Sequence, residues 1–310
     1  MQKMSTMVTG GNGLIGRRIV RELAERGEDV VSFDLAPATT PLDGVTYYRG
    51  DITQLPQILE ACNSHAVSRI IHMAALLPPD TEDRPHFGMQ VNIIGTNNIF
   101  EAARWCGIER VVYASSIAVY GVQDTFGERP VNEDDLPAPA NVYGMTKAAN
   151  DFAAARYRDL YGLDLRGIRI CTVFGHGRVT GMTGMIGGLM VSLPAVGAPI
   201  DLPFHRDELS PMIHAEDAAQ IFVRTALAER LNHPVYISGG HLCSVGDMAD
   251  IVRGIVPDAR ITTGERRVPH IYLVDNSRML ADIGYEIAPL DARIREHIND
   301  ARREAGFAPV

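Results

Sequence analysis

Lysine is nearly absent from this sequence, and there is no excess of positive charge. The 29 strong bases include two lysines, Lys3 and Lys147, and the net charge at pH 7 is −9. A protein that binds nucleic acid usually carries a basic surface, so this charge balance excludes nucleic acid as an expected partner. An acidic balance mainly favours solubility and does not select a ligand.

Cysteine is scarce, and long apolar runs are missing. The four cysteines are widely spaced and form no Cys-x-x-Cys pair: Cys62, Cys106, Cys171 and Cys243. This usage favours reduced thiols and is typical of a cytoplasmic protein. No apolar run reaches the ~18 residues that a membrane-spanning helix needs. Residues 6–9 already read as a strand, so we expect no signal peptide, no membrane contact and a cytoplasmic location.

The first half of the chain alternates short apolar strands with amphipathic helices. The pattern predicts strands at 5–9, 29–35, 45–48, 69–75, 110–115 and 165–174, and helices at 14–26, 56–62, 85–106 and 143–161. Strands separated by helices imply crossover connections and a parallel sheet. We therefore predict an α/β fold, with a doubly wound, Rossmann-type parallel sheet in residues 1–174.

The pattern changes after residue 174. Residues 175–197 contain seven glycines with methionines between them. Such a composition is typical of a mobile segment that touches a ligand, or of a plain flexible surface loop. Short strands and helices follow, up to a charged helix at 290–305. We predict that residues 175–310 form mainly a smaller substrate-binding lobe, with 213–240 returning to the first domain.

A glycine motif follows the first strand and opens the first helix, in Thr9-Gly10-Gly11-Asn12-Gly13-Leu14-Ile15-Gly16. Glycine permits a tight turn and a close approach of pyrophosphate to the backbone, and a helix N-terminus attracts anions. Asp34 ends the second strand, where a carboxylate bonds the adenosine ribose and repels a 2′-phosphate. The motif predicts NAD as cofactor. Arg17 and Arg18 argue for NADP instead, and a structural turn without nucleotide is the alternative.

Tyr143 and Lys147 form the second specific feature. They lie four residues apart in Asn141-Val142-Tyr143-Gly144-Met145-Thr146-Lys147, and positions four apart share one face of a helix. A cation beside a phenol lowers the pKa of the tyrosine, which gives a general base or acid that works near neutral pH. The alternative is a coincidental surface pair. In a chain that uses arginine almost everywhere, an internal lysine favours the functional interpretation.

With both features together, the chain resembles the extended short-chain dehydrogenase/reductases, in the epimerase/dehydratase branch, over residues 6–305. The further segments that match this family in order are Gly50-Asp51-Ile52, His72-Met73-Ala74-Ala75, Val91-Asn92-Ile93-Ile94-Gly95-Thr96, Ala114-Ser115-Ser116-Ile117-Ala118-Val119-Tyr120-Gly121 and Ile213-His214-Ala215-Glu216-Asp217-Ala218-Ala219. The resemblance implies a Rossmann fold, an NAD-dependent reaction and a homodimer formed through the helices at 85–106 and 143–161.

The resemblance also implies a role for each matched residue. Tyr143 exchanges a proton with the substrate hydroxyl as hydride moves between substrate and nicotinamide. Lys147 hydrogen-bonds the nicotinamide ribose, and Ser116 hydrogen-bonds the reacting oxygen. The residues implied to bind the cofactor are Gly10, Gly13, Leu14, Ile15, Gly16, Asp34, Asp51, Ile52, Met73, Ala74, Ala75, Asn92, Ser115, Tyr143 and Lys147.

Some of these residues also have a plain structural interpretation. Ser116 can be a strand-end hydroxyl that bonds its own backbone, and Asp51 can be an aspartate that forms a turn. For His72, in a buried strand, packing is the favoured interpretation. We expect no metal, because the spacing of His176, His205 and His214 is not that of metal ligands.

The substrate signature is incomplete. Nucleotide-sugar enzymes of this family commonly carry an asparagine where this chain has Thr172, and arginine and aspartate where it has residues 209–212. Dehydratases place acidic residues beside the serine, where Ile117 stands. We therefore expect an NAD-dependent dehydrogenase or reductase that acts on a secondary alcohol or ketone of a small polar molecule, such as a sugar, a sugar acid or a hydroxy compound. A UDP-glucose-type 4-epimerase is the alternative, and a non-catalytic NAD-binding sensor is a remote one.

The substrate pocket should lie beyond the carboxyl ends of the strands, between the sheet and the smaller lobe. The expected substrate contacts are Leu76, Ser116, Thr172 and Arg206, with Leu77, Met182 and Met185 as further lining. Arg206 can hold a carboxylate or phosphate through two parallel hydrogen bonds. Equally, it can be a surface arginine paired with Asp207 or Glu208.

Overall fold

The computed structural model describes residues 4–310, so Lys3 lies outside the described residues. The strands are β1 (Ser5–Thr9), β2 (Asp29–Asp34), β3 (Val45–Arg49), β4 (Val67–His72), β5 (Arg110–Ser116), β6 (Leu165–Ile170), β7 (Thr172–Phe174), β8 (Ile200–Phe204), β9 (Leu209–His214), β10 (Val235–Ile237), β11 (His241–Ser244) and β12 (Ile261–Arg266). The α-helices are α1 (Gly16–Glu25), α2 (Leu55–Ser64), α3 (Asp80–Asp83), α4 (Pro85–Met89), α5 (Thr96–Cys106), α6 (Val142–Tyr161), α7 (Gly181–Gly184), α8 (Met190–Ala195), α9 (Ala215–Leu227), α10 (Val245–Ile255), α11 (Ser277–Ile283) and α12 (Leu290–Glu304).

Seven strands form one parallel sheet in the order β10-β6-β5-β4-β1-β2-β3. The strand order reverses at β1, which pairs with β2 on one side and with β4 on the other. A crevice opens at such a point beyond the carboxyl ends of the strands, and ligands of doubly wound folds bind there. The predicted α/β fold with a parallel Rossmann-type sheet is confirmed.

The sheet is buried on both faces because helices cover each of them. Successive side chains of a strand point to opposite faces, so Met7 and Val8 of β1 belong to two different apolar clusters. Val8 packs in the cluster that contains Ile19 of α1 and Phe222 of α9. Met7 packs in the cluster that contains Phe100 of α5. Strand β1 is buried along its whole length, including its three hydroxyl side chains, Ser5, Thr6 and Thr9.

A smaller group of elements lies after β6. Strands β11, β9 and β7 form a three-stranded sheet, and β12 pairs with β8. A third apolar cluster joins these strands to α8, α10 and α12. Within the segment 213–240, α9 packs against α1, and β10 pairs with β6 at the edge of the large sheet. The division into two domains at residue 174, with 213–240 assigned to the first domain, stays a prediction.

The predicted strand at 165–174 is wrong as a single element. It is two strands in different sheets, because β6 ends at Ile170 in the large sheet and β7 pairs with β9 in the small one. The chain leaves the large sheet at Cys171, whose backbone N–H donates to the Ser238 hydroxyl at 3.0 Å. Apolar periodicity continues through this break, so the pattern alone does not reveal it.

One strand ends earlier than predicted, and one helix has the predicted ends but a different interior. Strand β4 ends at His72, so residues 73–75 leave the sheet edge instead of continuing the strand. The predicted helix at 85–106 comprises α4, a π-helical segment at Gln90–Gly95 and α5. A π-helical turn carries one more residue than an α-turn, and such turns are frequent at functional sites.

The expectation of loop structure at 175–197 is wrong for residues 181–195, while contact of the segment with a ligand stays a prediction. From Gly181 to Ala195 the segment is helical, as α7, a π-helical turn at Met185–Leu189 and α8. Its glycines permit close packing. A Cβ at Gly184 would lie 2.6 Å from the carbonyl carbon of Val179, and one at Gly188 would lie 1.7 Å from the carbonyl oxygen of Arg178. Close contacts between backbones therefore account for these glycines.

Within residues 4–310, no helix combines the length and apolar character needed to cross a bilayer.

The close contact at Gly188 predicts that Gly188→Ala destabilises the protein. The added methyl group has to displace the Arg178 carbonyl, which we expect to lower the free energy of unfolding by about 1–3 kcal/mol. Gly254→Ala is the matched control, because Gly254 is an exposed glycine of α10 with open space around its Cβ position. It should raise the free energy of unfolding by up to about 1 kcal/mol. Urea unfolding of both variants measures these effects, and equal stabilities would contradict the packing described here.

Candidate active site

A cavity of about 670 Å³ opens at the carboxyl ends of the strands of the large sheet. Its wall includes the turn after β1, the ends of β2 and β5, the segment 73–78 that follows β4, the start of α6, and residues 170–173, 178, 182–183 and 268–271. Of the residues expected at the site, those lining the cavity are Gly10, Gly13, Leu14, Ile15, Gly16, Asp34, Asp51, Ile52, Met73, Ala74, Ala75, Leu76, Leu77, Ser116, Tyr143, Lys147, Thr172 and Met182.

The turn after β1 needs glycine at specific positions. Gly10 has φ 65°, and a Cβ there would lie 2.8 Å from the backbone nitrogen of Ala74. A Cβ at Gly16 would lie 2.0 Å from the carbonyl oxygen of Gly10. The turn therefore packs directly against the segment after β4 and brings bare backbone to the cavity just before α1 begins. This is the cradle that a pyrophosphate requires at a helix N-terminus.

Asp34 is tied to that turn. Its carboxylate accepts hydrogen bonds from the backbone N–H groups of Asn12 and Ala36, each at 3.0 Å. The two arginines that argued for a phosphate have other partners. Arg17 donates to the carbonyl of His176 at 3.1 Å, and the buried Arg18 donates to the carbonyl of Leu14 at 2.7 Å. Neither arginine lines the cavity, whereas Asp34 does.

Helix α6 brings Tyr143 and Lys147 to the cavity. Asn141 caps the helix by accepting from the N–H of Gly144 at 2.7 Å. The Glu82 carboxylate accepts from the N–H groups of Val142 and Tyr143, each at 3.1 Å. These bonds fix the first turn, from which the Tyr143 ring extends into the cavity. The Lys147 ammonium lies 5.5 Å from the centre of that ring and donates to the carbonyl of Ala114 at 2.7 Å.

The electrostatics of Tyr143 differ from the expectation. Burial raises the pKa of the Tyr143 phenol above its ordinary value, while a hydrogen bond to Ser116 and the positive charge of Arg178 lower it. The lowering influences on the pKa therefore come from Ser116 and Arg178, where the sequence suggested Lys147. Burial also lowers the pKa of Lys147 to about 8, and Asp151 acts in the opposite direction. Ser116 additionally accepts from the N–H of Ala118 at 3.1 Å.

Arg178 is a site residue that the sequence interpretation missed. It lines the cavity, and its guanidinium donates to the Thr183 hydroxyl through Nε at 3.2 Å and through a terminal nitrogen at 2.6 Å. Among residues 4–310 it forms no ion pair with a carboxylate. A signal was available, because Arg178 is the one arginine, lysine, aspartate or glutamate in residues 175–197.

Arg206 does not lie at the cavity. Its side chain is 60% exposed and lies 3.3 Å from the carboxylate of Asp250 and 3.9 Å from that of Asp207. The expectation of a substrate contact at Arg206 is therefore corrected in favour of the surface alternative. Arg206 lies in the turn between β8 and β9, next to Asp207 and Glu208, whereas Arg178 has no charged neighbour in its segment.

Three other expected residues do not line the cavity. Ser115 is fully buried in β5, and its hydroxyl has no hydrogen-bond partner among the described residues. Met185 packs in the apolar cluster of the smaller lobe. Asn92, in the π-helical segment, accepts from the N–H of Leu76 at 2.8 Å and donates to its carbonyl at 2.9 Å. Asn92 thereby holds the cavity segment after β4 in place without lining the cavity.

His72 is engaged on both ring nitrogens, by the hydroxyls of Thr9 at 2.6 Å and Thr96 at 3.0 Å. Burial lowers its pKa to about 3, with a further contribution from the charge of Lys147, so the ring is neutral. In residues 4–310 we find no group of three or more His, Cys, Asp or Glu side chains arranged to hold a metal ion.

Comparison with known proteins gives a family match and several structural matches. The model of the NAD dependent epimerase/dehydratase family matches residues 6–237. A UDP-glucose 4-epimerase of Halalkalibacterium halodurans is 31% identical over 57% of this chain, and the match covers 54% of that enzyme, little more than half of its length.

Two solved structures have the same fold. The UDP-glucose 4-epimerase of Thermus thermophilus, solved in complex with NAD, has a TM-score of 0.86 at 23% identity and covers 96% of this chain and 99% of its own. The GalE-like L-threonine dehydrogenase of Cupriavidus necator, in its holo form, has a TM-score of 0.84 at 24% identity and covers 97% and 99%. At these identities the two structures support the fold and do not select a substrate.

Proposed function

The chain belongs to the NAD dependent epimerase/dehydratase family, and on that premise we propose that it is an NAD-dependent oxidoreductase of a small polar substrate. The reaction is the interconversion of a secondary alcohol and its ketone. The observation that carries this proposal is the convergence of Tyr143, Lys147 and Ser116 on one cavity that also contains the glycine turn.

The residues present fit NAD. The cradle at Gly10 and Gly16, where a Cβ would strike backbone, suits a pyrophosphate, and the carboxylate of Asp34 suits the adenosine ribose hydroxyls. Asp51 and Ile52 line the part of the cavity where the adenine would lie. With Arg17 and Arg18 bonded elsewhere, Asp34 favours NAD over NADP. Bound NAD supplies a nicotinamide ring that accepts or returns a hydride.

The side chains around the reacting carbon have separate tasks. As the phenolate, Tyr143 takes the proton of the substrate hydroxyl during oxidation, and as the phenol it returns that proton during reduction. Ser116 hydrogen-bonds the same oxygen, and its bond to Tyr143 opposes the rise in the phenol pKa that burial causes. Lys147 uses one N–H for the Ala114 carbonyl, which leaves two N–H groups for the ribose hydroxyls of the cofactor.

Arg178 favours an acidic substrate. A guanidinium at a cavity wall without a carboxylate partner is suited to a carboxylate on the ligand, which it can bind through two hydrogen bonds. Apolar residues form much of the surrounding wall, including Leu76, Leu77 and Met182. We therefore place a hydroxy acid or sugar acid first among the substrates, with its carboxylate at Arg178 and its hydroxyl at Tyr143.

A nucleotide-sugar 4-epimerase is the second candidate, and the similarity to the Halalkalibacterium halodurans enzyme favours it. In that reaction the ketone rotates within the cavity and receives the hydride on its opposite face. Thr172 and the residues of β9 depart from the signature of nucleotide-sugar enzymes, which counts against this candidate.

The function is tested by mixing the protein with NAD and a panel of hydroxy acids, sugar acids and polyols while following NADH absorbance. We expect NADH with at least one acid of the panel. An epimerase would instead retain NAD through purification and interconvert UDP-glucose and UDP-galactose without releasing NADH. That outcome, with no NADH from any member of the panel, would contradict the dehydrogenase.

Arg178→Met should impair the reaction of acidic substrates specifically. Loss of a charge-assisted hydrogen bond of about 1.5–3 kcal/mol predicts a fall of roughly 10–100-fold in kcat/KM for the hydroxy acid. The neutral amide of the same compound should react equally well with both proteins. Arg206→Met is the matched control, because this arginine is exposed on the smaller lobe, and it should keep wild-type kinetics. An equal loss for acid and amide would reject carboxylate binding by Arg178.

We also propose a homodimer formed through α5 and α6. Their surfaces expose large apolar side chains, including Trp105, Phe152, Leu160 and Tyr161, and an apolar patch of this kind marks an interface. Phe152→Glu should shift the protein from dimer to monomer in sedimentation velocity. Leu136→Glu is the control, because Leu136 is even more exposed than Phe152 but lies outside both helices. A wild-type monomer, or a dimer that survives Phe152→Glu, would contradict this proposal.

The cytoplasm is the proposed location. All four cysteines are free, and three of them are buried. Unpaired thiols of this kind are typical of a reducing compartment.

A further inference from the structure

A third polar residue continues the face of α6 that carries Tyr143 and Lys147. Asp151 follows Lys147 by four residues, so the two side chains are neighbours on the helix surface. Both are nearly excluded from solvent, with Lys147 4% and Asp151 7% exposed. A carboxylate is costly to bury and is retained only where partners compensate its charge.

The Asp151 carboxylate is held by two strands of the large sheet. Arg169 of β6 donates to it through Nε at 3.0 Å, and the hydroxyl of Tyr113 of β5 donates to it at 3.2 Å. Arg169 also donates to the hydroxyl of Tyr120 at 2.5 Å and to the carbonyl of Glu133 at 3.2 Å. The carboxylate therefore has a fixed position, one helical turn behind the ammonium of Lys147.

Few charges can affect Lys147 in this surrounding. His72 of β4 is neutral, because burial holds its pKa at about 3. Arg169 pairs with the Asp151 carboxylate and is not among the groups that shift the pKa of Lys147. The other titratable groups on the packed elements are Tyr143, Tyr113, Tyr120 and Arg158. Burial lowers the pKa of Lys147 to about 8, and Asp151 is the neighbouring group that opposes this.

We propose that Asp151 is a positioning residue for the reaction, whose fixed carboxylate keeps the buried Lys147 side chain an ammonium. The role of Lys147 toward the cofactor rests on the proposed function. The inference on Asp151 rests on the helical spacing, the shared burial and the hydrogen bonds from Arg169 and Tyr113. Without this negative charge, Lys147 would lose its proton at a lower pH and would hold the ribose as a neutral amine.

The low lysine content makes a direct test possible. The chain has two lysines, Lys3 and Lys147, so Lys3→Arg leaves one lysine signal in protein labelled with carbon-13 at lysine Cε. Titration of that signal by NMR in the protein without NAD should give a midpoint near the lowered pKa of Lys147. In Asp151→Asn we expect the midpoint to fall by about one pH unit, the lower end of the effect of a close opposite charge. The basic limb of kcat/KM should move to lower pH by the same amount.

Two variants separate charge from packing. Asp151→Glu retains the charge, so the midpoint of Lys147 should stay close to the value found with Asp151. Tyr113→Phe removes a hydrogen bond from the same carboxylate without removing charge, and it should shift the midpoint by less than about 0.3 unit. If Asp151→Asn does not fold, the double variant D151N/R169M removes both charges of the buried pair, a change that proteins often tolerate. Its midpoint should also fall.

The outcomes distinguish this inference from the proposed function. An unchanged midpoint in folded Asp151→Asn or D151N/R169M, or an equal fall in Tyr113→Phe, would overturn the role of Asp151. A midpoint that falls while the pH dependence of kcat/KM stays in place would leave the charge effect intact. It would then reject the role of Lys147 in the reaction, and with it this part of the proposed function.

Discussion

One turn of helix separates the phenol of Tyr143 from the ammonium of Lys147, and the candidate site depends on that turn being held against the end of β5. The bond from Lys147 to the carbonyl of Ala114 fixes it to the sheet, and Asn141 and Glu82 satisfy the N–H groups at its start. Glu82 follows the cavity segment after β4, so the same bonds connect that segment to α6. Rigid support of this kind is what a site needs to hold reacting groups in place.

Close contacts between backbones hold the rest of the cavity wall in place, as hydrogen bonds hold α6. Gly10 and Gly16 let the turn after β1 approach the segment after β4, and Gly188 lets the π-helical turn approach the carbonyl of Arg178. In each place the absence of a Cβ sets how near two segments come. The position of Arg178 at the cavity wall therefore depends on glycines in a segment whose composition suggested flexibility.

Local spacing made much of this architecture predictable from the sequence. The glycine turn, the acidic end of β2 and the pair Tyr143/Lys147 each consist of residues close together in the chain, and the α/β alternation gave the parallel sheet. Features that depend on long-range packing were missed. The break at Cys171 follows from a bond to Ser238, the choice between Arg178 and Arg206 follows from how the smaller lobe lies on the sheet, and the pKa of Tyr143 follows from burial.

The most direct test of the account is the kinetics of Tyr143→Phe, which removes the phenolic oxygen and keeps the ring. With the acid identified as substrate, we expect turnover to fall by about 10²–10⁴-fold, because general acid–base catalysis contributes that much. The dissociation constant for NAD, measured by calorimetry, should stay close to the wild-type value. Wild-type turnover in this variant would contradict the central claim that the Tyr143 phenol exchanges the proton of the reaction.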